Sequence, residues 1–197
     1  MYLYAFLIHQ ILGIDPILGY KNTLVRQNST VTRFYISRTI VSWRKAAVPL
    51  LCNHFQYNVI YREEEREMLP LCIDLGVGVV PWSPLARGFL AGNRNRDKEG
   101  PTTRAKTDTL AQEYYYNPED FDVLDRVINL AEDHEATPAQ IALAWLLNKP
   151  GITAPVVGAS KMSHLEQAVA AVEIDLSEQE MAFLEEPYKP HAILGHE

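Results

Sequence analysis

The chain has 197 residues, 47% of them hydrophobic, and a formal net charge of −7; it is long enough to bury the core of one domain. The acidic balance excludes a general nucleic-acid binder, whose affinity rests on Lys and Arg against phosphates. Two cysteines, Cys52 and Cys72, are too few for a disulfide framework and point to the reducing cytoplasm.

The first fifty residues carry Lys21, Arg26, Arg33, Arg38, Arg44 and Lys45 against Asp15 alone. These are scattered and make no basic patch, so neither nucleic acid nor membrane is expected as a partner. Residues 1–14 are uncharged and apolar but lack a basic leader and a clear cleavage site. They are also too short to span a bilayer, so a buried strand over 3–8 is expected, with another over 32–40 and a loop at 19–28.

From residue 48 the pattern sharpens. PLLCNHF suits a strand over 48–53. A helix over 62–75 follows, with Glu63, Glu64 and Glu65 in a first turn facing water. Met68, Leu69, Cys72 and Leu75 are its buried face, Pro70 is expected to kink or shorten it, and Gly76 ends it. GVGVV reads as a strand buried on both faces, placed near 77–81. The polar stretch 93–109, with several Lys and Arg, reads as a long functional or disordered loop.

Helices are expected over 120–132 and from Pro138, the latter capped by Thr137. APVVG is a further short buried strand at 155–158, followed by a helix over 163–172. The last helix opens on a capping box that starts at Ser177. Alternation of this kind predicts an α/β fold with parallel β/α units. A complete (β/α)8 barrel needs roughly 250 residues, so the expectation is a partial (β/α)8 TIM barrel made of C-terminal β/α units.

Two segments directly follow predicted strands, the position where β/α barrels gather their sites. In 81–88, Trp82 can lie against a planar ring, and Ser83 with the backbone beyond it can hold phosphate oxygens. The same residues also read as a rigid Pro-containing turn with Trp82 filling the core. In 157–164, Gly158 allows a phosphate to approach the backbone, the next helix offers free N–H groups, and Lys161 and His164 add donors. An ordinary turn with Ser163 as N-cap is the alternative there. His9 reads as either a catalytic imidazole or a structural one, and Arg104 as either a phosphate clamp or a solvated loop residue. Tyr114, Tyr115 and Tyr116 read as packing, and no metal-ligand spacing, GxSxG, or GxGxxG after a strand occurs.

YNVIYREEEREMLPLC with GVGVVPWSPLARGFLAG closely resembles the aldo/keto reductase superfamily, in the branch of aryl-alcohol dehydrogenases and potassium-channel β subunits. TPAQIALAWLLNKPGITAPVVGASKMSHLEQAVAAV and EEPYKPHAILGH continue the likeness, which covers 46–197 and sets it apart from a degenerate segment 1–45.

The resemblance implies NADPH bound in an extended pose and a small-molecule carbonyl substrate. It places Trp82 on the nicotinamide and Ser83, Pro84, Leu85, Ala86 and Arg87 around the pyrophosphate. Arg104 would reach the adenosine phosphates, and Gly158, Ser160, His164 and Gln167 would hold the adenosine end with Lys161 nearby. His54 stands where the family usually has a Gln. Of the family's catalytic Asp, Tyr, Lys and His, only the His has a counterpart, His9 in Leu7-Ile8-His9-Gln10. The chain is therefore expected to be an apparently truncated NADPH-dependent aldo/keto reductase, or else an inactive nucleotide-binding fragment, with possible self-association through unclosed sheet edges.

Overall fold

A computed structural model describes residues 52–94, 96 and 108–192. All of these belong to one compact unit spanning 39–194; a second unit, 1–38 with 195–197, lies outside the described residues. So do the strands expected over 3–8 and 32–40 and most of the loop at 93–109.

The sheet starts at β1 (Cys52–Asn53), parallel to β2 (Gly78–Val79). Their ladder runs on past both strands: Val80 N donates to Asn53 O (2.8 Å) and Trp82 N to Phe55 O (2.9 Å). On its other side β2 meets a third parallel run, with Thr153 N donating to Val79 O and Val156 N to Pro81 O, both at 2.8 Å. Three neighbouring parallel runs are what the β/α alternation predicts. The third run departs from expectation, because 152–157 is half-exposed rather than buried, and pairing begins at Ile152 rather than 155. Pro155 has no N–H to give a ladder, and the Ile152 N–H turns back to Lys149 O (3.3 Å).

Between β1 and β2 the expected single helix is two pieces. Glu63–Glu65 is one 3-10 turn, and α1 (Met68–Leu75) follows after a break at residues 66–67. Starting the helix at Met68 puts Pro70 in the first turn, where its missing N–H has no intrahelical partner to lose. Gly76 closes α1 at φ 64°, and Met68, Leu69 and Cys72 pack inward.

The acidic turn does not face water. Glu63 and Glu64 are buried, and the C-terminal segment folds over Glu63. The Tyr188 hydroxyl and the His191 N–H donate to Glu63 Oε1 at 2.9 and 3.1 Å, and Arg66 pairs with the other oxygen (3.2 Å). Glu65 is gripped by Arg62 (2.8 Å), by Lys149 (3.0 Å) and by the Tyr57 hydroxyl. Burial opposes ionisation of Glu65, but these donors outweigh it and hold its carboxyl below the ordinary range.

After β2 comes a kinked 3-10 segment, Ala86–Ala91, and then α2 (Thr109–Tyr115), capped by Asp108. α3 (Pro118–Asp133) and α4 (Pro138–Asn148) each have Pro at their first position and a capping box, Asn117 with Asp120 and Thr137 with Gln140. The Thr137 cap and the Pro138 start of α4 are those its sequence predicts. α5 (Met162–Ala170), a short 3-10 turn Ala171–Glu173 and α6 (Glu178–Glu185), boxed by Ser177 and Glu180, complete the chain. The core lies between sheet and helices around Tyr57, Phe89, Leu124, Trp145, Leu146 and Leu184. The Trp145 indole N–H donates to Glu185 (2.9 Å), so its polar edge is satisfied inside that core. α5 is different: none of its residues is buried.

Candidate functional site

The parallel pairing sets the ends of the three runs side by side, and the loops leaving them carry the candidate residues. Trp82 is locked at the end of β2 by its backbone: its N–H donates to Phe55 O, and its carbonyl accepts from Tyr57 N (3.4 Å). Its ring is only half-buried, so it is not simple core filler. Beyond it the backbone is strained. Ser83 (φ 57°), Ala86 (φ 47°) and Arg87 (φ 56°) all lie in the left-handed region, with Gly88 at φ 88°. L-residues seldom adopt that region, and three together cost energy that surrounding contacts must hold in place.

Those contacts are visible. The Asn58 side-chain amide donates to Ser83 O (2.9 Å), and Ala86 N and Gly88 N turn back to Ser83 O and Leu85 O (3.0 and 2.8 Å). Asn58 is fully buried, as are Gln56 and Tyr115, whose side chains bond to each other. Burial pushes the Tyr115 hydroxyl up to about 12, so it stays protonated near neutrality. Leu85 (φ −103°, ψ 17°) lies in the bridge region just ahead of the left-handed pair Ala86 and Arg87.

Asp108 was not singled out in the sequence. Both its oxygens accept from Arg87 Nε at 3.0 Å, and Oδ1 also accepts from Ala111 N (3.1 Å) as the cap of α2. Arg94, buried nearby, lies 3.8 Å from Asp108 Oδ2 and donates to the Arg87 carbonyl (3.3 Å). Burial disfavours the Asp108 charge, but Arg87, Ala111 N–H and Arg94 overcome it and keep the carboxyl below its usual range. The only trace of this in the sequence is an Asp ahead of a helical run, which reads as a cap.

His54 sits one residue past β1 and is exposed, though partial burial of its ring holds the imidazole below its ordinary pKa. The segment 158–164 is fully exposed. Here Lys161, not Ser163, is the N-cap residue of its helix, with no side-chain cap, and His164 N donates to Lys161 O (3.1 Å). A side chain at Gly158 would meet nothing within 4 Å, so that glycine is not required by the fold around it. Gln167 lies one turn further along α5, half-exposed. His9 and Arg104 lie outside the described residues.

A parallel sheet whose strand-end loops carry an aromatic residue, a strained turn and a held arginine defines a protein of the β/α class. The aldo/keto reductase family model matches residues 27–189, starting ahead of residue 46, so the chain belongs to the aldo/keto reductase family. An aryl-alcohol dehydrogenase-like protein of Schizosaccharomyces pombe is 45% identical over 139 residues, covering 71% of this chain and 38% of the relative. An aldo-keto reductase of Fusarium vanettenii is 35% identical over 206 residues, covering 96% of this chain and 54% of its own. The crystal structure of the thermostable aldo-keto reductase Tm1743 with the inhibitor epalrestat superposes with a TM-score of 0.56 at 30% identity. It covers 79% of this chain and 45% of that one. This chain thus spans roughly half, or less, of the length of the proteins it matches. No helix among the described residues is long and apolar enough to cross a membrane.

Proposed function

We propose that this chain serves the NADPH-dependent reduction of aldehydes or ketones and supplies much of the coenzyme site for it. The observation that carries this is the strained turn 83–88 at the end of β2, with Trp82 before it and Arg87 held within it. Strain of this kind gathers where a ligand is gripped. The chemistry of the side chains fits a dinucleotide: a partly exposed Trp82 for a flat ring, and the Ser83 hydroxyl with the Arg87 guanidinium for phosphates.

Hydride donation to a carbonyl carbon is the chemistry a bound nicotinamide coenzyme supplies. In this reading Trp82 orients the ring, Ser83 to Arg87 enclose the pyrophosphate, and Gly158, Ser160, His164 and Gln167 hold the adenosine end. Preference for NADPH over NADH comes from Lys161, an exposed cation at the start of α5. Isothermal calorimetry with both coenzymes, on wild type and Lys161→Ala, tests it. A preference for NADPH that Lys161→Ala removes is expected; equal affinities in wild type would refute it.

A second reading is favoured by the sequence itself, in which no counterpart of the family's catalytic Asp, Tyr and Lys is recognisable. Under it the chain is a nucleotide-binding fragment or pseudo-enzyme that turns over little by itself. Both readings place it in the cytoplasm, in keeping with Cys52 and Cys72 as free thiols.

A further inference from the structure

We infer that Asp108 is the positioning residue of the phosphate-binding turn, acting through Arg87; this rests on the coenzyme reading above. Three observations on one triangle of side chains carry it. First, both Asp108 oxygens take Arg87 Nε at 3.0 Å. A guanidinium is planar, so fixing Nε fixes the plane of the whole group. Its two Nη groups make no hydrogen bond to any described residue, and the side chain is 35% exposed. The grip is therefore on Nε alone, which leaves the Nη groups to an anion.

Second, Arg87 is held at its backbone as well. Its left-handed conformation (φ 56°) is secured by the buried Arg94, which donates to its carbonyl while reaching Asp108 at 3.8 Å. Third, Asp108 cannot drift, because it caps α2 through Ala111 N–H. That helix is tied to the strand ends by Tyr115 and Gln56. The chain of support thus runs from the sheet through α2 and Asp108 to a partly exposed guanidinium.

Position and charge make opposite predictions here, which gives the test its sign. Removing the Asp108 charge raises the local positive potential, and electrostatics alone would then bind a phosphate anion more tightly. Loss of positioning binds it more weakly. Asp108→Asn and Asp108→Ser both keep an oxygen able to cap α2, and either serves if the other is too unstable. Calorimetric titration of the full chain with NADP+ is expected to show roughly tenfold weaker binding, about one charge-assisted hydrogen bond. In an Arg87→Ala background the same substitutions should cost nothing more.

Equal or tighter binding by the Asp108 variants overturns the inference and leaves the coenzyme reading standing. An equal further loss in the Arg87→Ala background also overturns it, since Asp108 then acts on the fold rather than through Arg87. A wild-type chain that binds neither NADP+ nor NAD+ removes both.

Discussion

Glu180 accepts from Ser177 at the start of α6 and from His134 Nε2 at 2.6 Å, and these partners hold its carboxyl down at about 2 against an ordinary 4.5. The folded-state value lies below the unfolded one, so the stabilisation is present above about 4.5 and lost as pH falls toward about 2. Solvent reaches the pair and screens it, which keeps the contribution modest. Urea midpoints measured from pH 6 downward should fall through that window in wild type and fall less in Glu180→Gln. Gln keeps a capping-box acceptor but carries no charge. Parallel curves for the two proteins would show that Glu180 does not drive the acid limb. The residues behind this pair were half legible: Ser177 announces a capping box in the sequence, whereas His134, 46 positions away from Glu180, reaches it only in the folded chain.

The elements show the same division. α4 was readable to its first residue, because Thr137 and Pro138 encode a cap and a starting φ in adjacent positions. The helix before β2 was not. Its acidic first turn looks like a dipole-favoured surface start, and only Tyr188 and His191, more than a hundred residues later, bury Glu63. Gly151, at the turn from α4 into the third run, is a third case. It sits at φ 85°, and a Cβ there would lie 2.8 Å from Ile73 Cγ1 and 3.2 Å from Leu69 Cδ1 on α1. Gly151→Ala should therefore cost at least about 1–3 kcal/mol through backbone strain, with overpacking in addition. A chemical denaturation series reads this directly, and an unchanged midpoint would mean that α1 yields without resistance.

At the scale of the molecule, catalysis needs groups that a coenzyme site does not provide. Reduction of a carbonyl builds charge on oxygen, and a proton donor within hydrogen-bond reach contributes about 10²–10⁴-fold. The sequence offers one candidate, His9, and no recognisable Tyr–Lys pair. This chain by itself is expected to oxidise NADPH with a panel of aldehydes far more slowly than the 1 per second or so of ordinary enzymes. Faster turnover, lost in His9→Ala, would instead identify His9 as the acid.

Association belongs to the same scale. Among exposed large apolar side chains, Met162 (69%), Val169 (59%) and Val172 (65%) fall on or just beyond α5, which buries none of its residues. Exposed apolar side chains of this size promote contacts between molecules. Sedimentation velocity should show a weight-average mass that rises with concentration; a concentration-independent monomer would count against it.

The amino-acid sequence alone determined the family, the β/α alternation, the parallel sense of the strands and the starts of α4 and α6. These are set by local periodicity, by capping chemistry and by contiguous motifs such as PWSPLARG. The tertiary structure decided the burial of Glu63, the half-exposure of 152–157, the left-handed turn at 83–88 and the grip of Asp108 on Arg87. Each of these depends on which distant groups come within hydrogen-bond reach. A side chain's local neighbours do not encode that; the packing of helices on the sheet does.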